Sequence, residues 1–549
     1  MELPLRLPLL SRRNASGSLG PLTPGAAKLV ALAVPVLTVI ALCSFFTPYW
    51  ETNDDLAMSM IAHGYGAIAF ASPKIVFSNV LWGYVVWAMP SLGGIPGYSI
   101  MTLLTLIAAG SGILYAVLRL GSDLHCAVAC VAMILVHTTL TPQFTINAGL
   151  LTVAAICLAL AYSKLGEAHM LILALILGFA GVLVRTAEFL FVLGVALPFL
   201  PFRLLRNDAS AKVALAILLI AAGSAVYADM LAYQGPEWQA FNELNGVRTS
   251  FTDYGVGTIL KARPEILARH GYSASDIDLI SSFFLLDPQL ADPSSLLSML
   301  DELGSRTEFG SLNNAAKALS ALFNKELLPL SGAVFVLALL YRCPRHLPSV
   351  LLFVAGIVMM GLLGRPGVTR IYYAPLALLI IAPIVGAPRT PSQRAGARIV
   401  LSLALLASAY LAISKSQAME RAMRNIQPSF PYLIETPILA WGGAFPYSLV
   451  YPVLSKPTEI QIGSLGSFSL APYSRLVADE GAFANALAQL KSGAVVHFSA
   501  SPVAMQGFAT YCKERLRGLP LITRDLTQPK LLNLYSVQCK PGSPNDRSP

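Results

Sequence analysis

Charged residues are scarce in this sequence. Only 12% of its 549 residues are Asp, Glu, Lys or Arg, whereas 55% are hydrophobic, and the mean hydropathy is +0.64. Soluble domains of ordinary composition carry about 25% charged residues. The composition therefore excludes a chain made only of soluble domains and predicts a polytopic membrane protein.

Cysteine is scarce too, and its spacing matches none of the common metal-binding motifs. Five of the seven cysteines lie in apolar runs or in a short basic loop: Cys43, Cys126, Cys130, Cys157 and Cys343. Cys512 and Cys539 instead fall in a polar C-terminal region that we expect outside the membrane, where a disulfide persists. We predict that these two residues pair.

A concentrated basic patch is also missing, although the formal net charge is +9. Lys and Arg are spread over short loops between apolar runs, which is typical of charges that set membrane topology. The sequence therefore predicts no nucleic-acid partner. Nor do we find a small-residue cleavage site after the first apolar run, so we expect the first helix to remain as an anchor.

Apolar runs of membrane-spanning length organise most of the chain. We predict eleven helices, at 29–46, 98–117, 124–140, 144–162, 169–184, 187–201, 213–232, 327–341, 350–364, 371–387 and 399–413. With the N-terminus inside, ten basic residues between the apolar runs all fall in cytoplasmic loops. These residues are Arg119, Lys164, Arg203, Arg206, Lys212, Arg342, Arg345, Arg389, Arg394 and Arg398.

The segment 169–201 decides this topology. It is long for one helix and short for two, and Arg185-Thr186-Ala187-Glu188 interrupts it. A single helix would reverse the orientation of everything downstream and place Arg203 and Arg206 outside. Two short helices that meet at the outer surface fit the distribution of basic residues better, and we therefore predict a hairpin.

The predicted fold class is an α-helical polytopic membrane protein with a small C-terminal α/β domain outside the membrane. We predict a cytoplasmic tail over 1–28, a transmembrane domain over 29–413, an extracytoplasmic domain over 414–540 and a disordered tail over 541–549. Two outer loops, 47–97 and 233–326, are expected to be helical. In the C-terminal domain we predict strands at 438–441, 494–498 and 532–537 and helices at 483–490 and 505–516.

The acidic stretch after the first helix is the first candidate site. Asp54 and Asp55 are expected at the outer membrane face, where an ionisable residue is costly and is a functional candidate. We interpret them as catalytic carboxylates, and Glu51 could join them in holding a divalent cation. The alternative is that the two aspartates only cap a helix. His63 and Lys74, nearby, are weaker candidates for substrate contacts.

Other charges are expected on the same outer face. Arg185, Glu188, Arg365 and Arg370 lie at predicted helix ends, and Tyr372 follows closely. Guanidinium groups bind phosphate through two hydrogen bonds, so this set suits contacts to a phospholipid carrier. The alternative is that Arg185 pairs only with Glu188 and that Arg365 and Arg370 reach towards headgroups.

Several short motifs resemble the GT-C glycosyltransferases, membrane enzymes that use polyprenyl-phosphate sugars. The motifs are Asn53-Asp54-Asp55, Phe77-Ser78-Asn79-Val80-Leu81-Trp82-Gly83, Val184-Arg185-Thr186-Ala187-Glu188, Arg370-Ile371-Tyr372-Tyr373 and Trp441-Gly442-Gly443. The resemblance, which is to a bacterial Asn-Asp-Asp subgroup, implies that Asp54 is the base and that Asp55 binds acceptor or metal. It also implies phosphate contacts from Arg185 and Arg370. A second Asp stands where several relatives have Glu.

The expected function is transfer of a sugar from a polyprenyl-phosphate donor to an envelope glycan, lipid or protein acceptor. We expect it on the outer face of the cytoplasmic membrane, with membrane lipids as further partners and a divalent cation as an open requirement. A transporter or flippase would place ionisable groups at mid-membrane and often has repeated halves, which we do not find. An envelope polysaccharide polymerase or ligase is a second rival function, and a non-catalytic scaffold is a third.

Overall fold

The computed structural model describes residues 22–304, 312–341, 343–386, 390–478, 482–483 and 485–541. The N-terminal half contains helices α1 Pro24–Phe45, α2 Asn53–His63, α3 Val80–Ala88, α4 Gly97–Arg119, α5 Leu124–Leu140, α6 Phe144–Leu165, α7 Ala168–Ala196, α8 Phe202–Asn207 and α9 Ala209–Ala232. Next come α10 Gln239–Thr252, α11 Val256–Lys261, α12 Pro264–Arg269, α13 Ala274–Ser281, α14 Pro293–Leu303 and α15 Leu312–Ser320.

The C-terminal part begins with α16 Leu328–Tyr341, α17 His346–Leu362, α18 Thr369–Gly386, α19 Pro391–Ile426 and α20 Phe430–Glu435. The remaining elements are β1 Ile438–Trp441, α21 Tyr447–Val450, β2 Ile462–Leu465, α22 Arg475–Ala478, α23 Ala486–Lys491, β3 Val496–Ser499, α24 Pro502–Glu514, β4 Gly518–Arg524 and β5 Leu534–Pro541. Most of the predicted N-terminal and C-terminal tails, together with Arg342, Arg389 and residue 387, lie outside the described residues.

Each of the eleven apolar runs predicted from the sequence is helical over most of its described length. Six described helices, with α7 counted as one, are long and apolar enough to cross a membrane, and a bent pair around 324–327 makes a seventh possible span. Helix α6 lies at the centre of the bundle and is buried along most of its length, whereas α1 and α9 expose large apolar side chains such as Leu29 and Ile220. This distribution is that of a bundle surrounded by lipid.

Helix α7 folds back on itself at Arg185. The backbone of Arg185 is extended, with φ −162° and ψ 96°, and separates two shorter helices. A Cβ built on Gly178 would lie 4.0 Å from the ring of Phe189, eleven residues along the chain, which a continuous helix with a rise of about 1.5 Å per residue excludes. The structure therefore contains the predicted hairpin.

The basic loops meet at one end of the bundle. Arg119 pairs with Glu167 between α4 and α7, Arg398 pairs with Asp123 at 2.5 Å, and Arg203 and Arg345 line one shallow pocket. Both ends of the α7 hairpin also lie at this end of the bundle. Its first residue, Ala168, directly follows Glu167, and Pro198, two residues after its end, lines the same pocket as Arg345. The clustering agrees with the positive-inside pattern used to predict the topology.

A mixed five-stranded sheet forms the centre of the C-terminal region, in the order β2-β1-β3-β5-β4. Strand β1 is parallel to both β2 and β3, and β5 is antiparallel to β3 and β4. Strands β2 and β4 were not predicted. Both were missed because β2 contains Gly463 and β4 contains Gly518 and Pro520, which weaken a strand signal.

The segment after α9 and the C-terminal sheet form one unit with a shared hydrophobic core. Residues of α10 to α14, such as Phe284, pack with Trp441, Phe498 and Tyr511. Trp441 Nε1 donates to the Ser282 carbonyl at 2.7 Å, and the Tyr511 hydroxyl donates to Asp287 at 2.8 Å. The predicted Cys512–Cys539 disulfide is present in this outer unit.

Helix α2 lies between the membrane bundle and the outer unit. The Phe144 backbone at the start of α6 hydrogen-bonds to the Asp55 side chain from one side. From the other side, the loops beside α2 bond to the C-terminal region, through Ala69 to Tyr473 and through Arg475 to Gly66. The fold class predicted from the sequence, a helical membrane bundle with a small α/β domain, is confirmed.

Candidate active site

Helix α2 positions the acidic pair. Thr52 is its N-cap residue but makes no capping hydrogen bond with its side chain, and the helix ends at Gly64, whose φ of 67° is the left-handed conformation that favours glycine. Asp54 and Asp55 fall in the first turn, where the helix dipole favours negative charge. Consecutive residues on a helix point about 100° apart, so the two carboxylates enter different surroundings.

Asp54 faces a group of arginines. Its Oδ2 lies 3.5 Å from Nη2 of Arg370, at the start of α18, and both side chains stay partly exposed. Burial raises the pKa of Asp54 above its ordinary value, and the positive charges of Arg370 and Arg185 oppose that rise. The capping alternative fails for Asp54, because its carboxylate is directed at an arginine from another part of the chain.

Two more predicted arginines complete this group. Arg185 donates from Nη1 to the Phe77 carbonyl at 2.8 Å, and its guanidinium lies 5.4 Å from the ring centre of Phe144. Arg365 pairs with Asp253 at 3.8 Å. The positive charges of both residues lower the pKa of Asp54, so residues far apart in sequence act on one carboxylate.

Glu188 does not pair with Arg185 in the described structure. Its side chain is only 3% exposed, its Oε1 has no hydrogen-bond partner among the described residues, and it lies against Gly149 of α6. The alternative that Arg185 and Glu188 serve only each other is therefore not what the structure shows. A role of Glu188 in substrate binding stays a prediction.

Asp55 is placed differently from the prediction. The carboxyl is fully buried and accepts hydrogen bonds from the Phe144 backbone N–H at 2.8 Å and from the Tyr98 and Thr52 hydroxyls at 3.2 Å. Burial raises its pKa well above the usual value, and the charge of Asp54 adds to the rise. Its contacts are those of a group that fixes α2 to α4 and α6, not of a second catalytic carboxylate.

Burial raises the pKa of Glu51, and the charge of Lys415, which pairs with Glu326 at 2.6 Å, opposes that rise. The Oε2 atom of Glu51 has no hydrogen-bond partner among the described residues. In the same part of the chain no three His, Cys, Asp or Glu side chains are grouped to hold a metal ion. A divalent cation held by Glu51, Asp54 and Asp55 stays a prediction, and we derive no step through it.

Three predicted substrate contacts lie elsewhere. His63 accepts a hydrogen bond from the Tyr98 backbone at 2.9 Å, and burial lowers its pKa. Lys74 pairs with Glu237 at 3.2 Å and lies over the Trp238 ring. Tyr372 is buried and donates to the Ala318 carbonyl at 2.9 Å. Each of the three residues joins structural elements, and a substrate contact from any of them stays a prediction.

Asp54 also borders a pocket of about 220 Å³ between α2 and the C-terminal sheet. Its lining includes Asn53 and Met60 from α2, and Gly443 and Ser464 from the ends of β1 and β2. Phe283, from the segment after α13, contributes an aromatic face. Asp54 therefore contacts Arg370 and also borders this pocket, whose described lining includes no arginine.

Several residues of the site were not predicted from the sequence. Asp253 and Tyr254 reach Arg365 from the end of α10, and Phe283 reaches the pocket. The sequence identifies these residues only as part of a large predicted outer loop. That assignment does not predict which part of the fold each side chain contacts. Phe283 has a positive φ of 71°, unusual for an aromatic residue, and this feature is visible only in the structure.

Two solved structures resemble the chain. They are crystal structures of ArnT from Cupriavidus metallidurans, one bound to undecaprenyl phosphate and one in the apo state. Each is 12% identical and covers 93% of this chain and 97% of its own, with TM-scores of 0.38 and 0.37. No family model matches the chain, and no curated protein matches it.

The likeness to ArnT extends over most of the length of both chains. At this identity and these TM-scores it says nothing about individual residues. The functional argument therefore rests on the contacts of this chain.

Proposed function

We propose that this protein is a membrane glycosyltransferase that moves a sugar from a polyprenyl-phosphate donor to a hydroxyl group, with Asp54 as general base. One observation carries the proposal. A partly exposed carboxylate lies 3.5 Å from Arg370, and the charges of Arg185 and Arg365 also act on it, at the outer end of an apolar bundle. Carboxylate and guanidinium groups together supply the base and the phosphate contacts that this reaction needs.

The donor phosphate is assigned to the arginines. Arg365 and Arg370 lie on the loop between α17 and α18 and at the start of α18, and an apolar pocket of about 540 Å³ opens between α16, α17 and α18. Its lining includes Val334, Phe353 and Leu376, side chains suited to a hydrocarbon tail. A lipid whose phosphate meets the arginines can place its tail along these helices.

The proposed reaction is a single displacement at the anomeric carbon. The acceptor hydroxyl attacks that carbon and gives its proton to Asp54, while the bond from the anomeric carbon to the phosphate oxygen breaks. The departing lipid phosphate takes the electron pair, and Arg370 and Arg185 offset its charge. A single displacement inverts the configuration at the anomeric carbon.

The proposed location is the cytoplasmic membrane with the site on the outer face. Basic loops collect at the opposite end of the bundle from Asp54, which supports an N-terminus inside and an outer unit outside. A disulfide in the outer unit fits the same orientation, because disulfides persist in oxidising compartments.

The test uses purified protein in lipid nanodiscs and lipid-linked sugars extracted from membranes of the source cells. Asp54→Asn should reduce transfer about 10²- to 10⁴-fold, the usual contribution of a general base. Arg370→Gln should weaken binding of undecaprenyl phosphate, the first carrier to try. Glu237→Gln, an outer carboxylate paired with Lys74, is the matched control and should keep full activity.

Unchanged transfer in Asp54→Asn would reject the proposed base. Dependence on the arginines with a dispensable Asp54 would instead favour a polymerase or ligase that handles whole glycans. Movement of the lipid across the membrane without release of polyprenyl phosphate would favour a flippase. Adding a chelator to the same assay tests the requirement for a divalent cation.

A further inference from the structure

The pocket beside Asp54 lies at the carboxyl ends of strands β1 and β2 of the C-terminal sheet. Strands β1 and β2 are parallel neighbours, so both end at the same edge of the sheet, where the pocket lies. Gly442 and Gly443 directly follow β1, and Gly466 and Ser467 directly follow β2. Crevices outside the carboxyl ends of such strands are the usual ligand sites of open α/β sheets.

The lining of the pocket is neutral and partly aromatic. Among the described residues that line it, Asp54 alone carries a formal charge. Phe283, Phe468 and Tyr447 provide aromatic surfaces, while Ser464 and Ser467 provide hydroxyl groups beside backbone amides. A phosphate or carboxylate on the ligand would find no cation in this lining, whereas a sugar ring finds both apolar faces and hydrogen-bonding groups.

Phe283 is held at the pocket at a cost in backbone conformation. Its φ of 71° is in the left-handed region, which bulky residues avoid. Trp441 fixes the preceding carbonyl at 2.7 Å, and the Arg248 guanidinium lies 5.3 Å from the centre of the Phe283 ring. Strain maintained by surrounding contacts is a recurrent feature of ligand sites.

The size of the pocket limits what enters it. At about 220 Å³ it is smaller than the roughly 300–1,000 Å³ of pockets that enclose whole ligands. A Cβ added to Gly443 would meet no atom within 4 Å, so the pocket is open at that edge. The dimensions suit the end unit of a longer molecule that extends past Gly443.

We propose that this pocket binds the terminal unit of a neutral saccharide acceptor, with one of its hydroxyl groups presented to Asp54. The inference rests on the proposed function and names its acceptor class. The Phe283 ring packs against the sugar, Ser464 and Ser467 hold its hydroxyls, and the arginines stay with the donor. Donor and acceptor therefore meet at Asp54, and the acceptor reaches it from this pocket.

Two pairs of variants test the site without touching the proposed base or the arginines. Gly443→Leu places a side chain in the opening, and Gly246→Leu, also in open space on the outer unit, is its control. Phe283→Gly removes the ring and relieves the positive φ, so the fold should not suffer. Arg517→Gly, a residue with a φ of 52°, is the matched control.

The probe is a glycan array of neutral oligosaccharides and of counterparts that bear phosphate or uronic acid, read with fluorescent protein in nanodiscs. We expect selective binding of neutral glycans, at least about tenfold weaker in Gly443→Leu and Phe283→Gly than in their controls. Undecaprenyl phosphate binding, measured in parallel, should stay unchanged in all four variants.

Preference for anionic glycans, equal binding by all variants or no glycan binding would overturn the acceptor assignment. Loss of undecaprenyl phosphate binding in the arginine variants would still support the proposed function in that case. Conversely, neutral glycan binding by a protein that does not turn over lipid-linked sugar would retain the pocket and reject the transferase. The two failures are therefore distinguishable.

Discussion

Two neighbouring aspartates show how far surroundings decide a residue's role. Asp54 keeps a partly exposed carboxylate beside Arg370, whereas Asp55 is fully buried and accepts three hydrogen bonds. A base must exchange a proton with substrate, which only the exposed carboxylate can do. We assign the chemistry to Asp54 and the positioning of α2 to Asp55.

The pKa of Asp54 yields a prediction for pH dependence. Asp54 acts as a base only when ionised, and burial raises its pKa above the ordinary value. The acid limb of kcat/KM should therefore lie at higher pH than that of a free aspartate, whose pKa is about 3.9. The charge of Asp253 contributes to the raised pKa, so Asp253→Asn should move the limb to lower pH.

The charge of Arg370 works in the opposite direction, because it stabilises the Asp54 carboxylate. Arg370→Gln should therefore move the acid limb of the kcat/KM profile, measured on the activity that remains, to higher pH. Measured pH profiles of kcat/KM report groups of the free enzyme and are the appropriate comparison. A limb that shifts in the same direction in Asp253→Asn and Arg370→Gln would contradict the electrostatic account.

Asp55 should tolerate Asn but not Ala. Its Oδ1 accepts from Phe144 and Tyr98, which an amide oxygen can also do, and an amide N–H can donate to the Thr52 hydroxyl. Asp55→Ala leaves buried donors without a partner, at a cost of about 1–3 kcal/mol each. Thermal unfolding in detergent should show a lower Tm for Asp55→Ala and a nearly unchanged one for Asp55→Asn. Loss of turnover in a stable Asp55→Asn protein would return Asp55 to a catalytic role.

At the scale of elements, close packing of α6 against α7 and α18 brings the arginines near α2. Helix α6 packs closely against both α7 and α18, and Gly149 is a point of very close approach. A Cβ there would collide with Ala374 of α18 and lie 3.0 Å from Glu188 Oε1. A small residue at this position therefore lets the helix that carries Arg370 reach Asp54.

Gly149→Val should accordingly destabilise the bundle and reduce activity. Overpacking a tight core contact costs typically about 1–3 kcal/mol, and here it also displaces α18. Gly223→Val, in α9, meets nothing within 4 Å and controls for placing a β-branched residue in a helix. The measurements are Tm in detergent and turnover of lipid-linked sugar. Equal Tm values for the two variants would show that α6 and α18 can move apart without loss of stability.

At the scale of the whole molecule, one orientation in the membrane accounts for the basic loops, the acidic site and the disulfide. Cys343 lies near the inner end, before α17, whereas Cys512 and Cys539 lie in the outer unit. The outer unit itself combines chain from before α16 with chain from after α19. The pocket beside Asp54 forms only where these distant segments pack against α2.

This orientation is testable by thiol labelling in cells, with Cys43 replaced by Ala. An impermeant maleimide should not label the protein until a reductant opens the Cys512–Cys539 pair, because disulfide sulfurs do not react. Cys343 should become reactive only after the membrane is permeabilised, and Cys343→Ala should abolish that signal. Labelling of Cys343 from outside intact cells would reverse the proposed topology.

Much of the membrane architecture could be predicted, because apolar length and basic loops are local signals that the bilayer itself imposes. The eleven apolar runs and the break at Arg185 were visible in the sequence. Strands β2 and β4 were not, because their pairing depends on neighbours far along the chain. Asp54, Arg185, Arg365 and Arg370 were identified as candidates, and the structure brings them together.

The sequence by itself determined that this is a membrane protein, where its helices run and which charges are too costly to lie at the membrane surface without a role. Those properties follow from the free energy of transferring each segment into lipid, which depends on composition and length. Only the tertiary structure decided that Asp55 is an anchor, that Tyr372 and Lys74 lie elsewhere and that a neutral pocket faces Asp54. These outcomes depend on which segments meet in space, and contacts between segments hundreds of residues apart leave no local pattern.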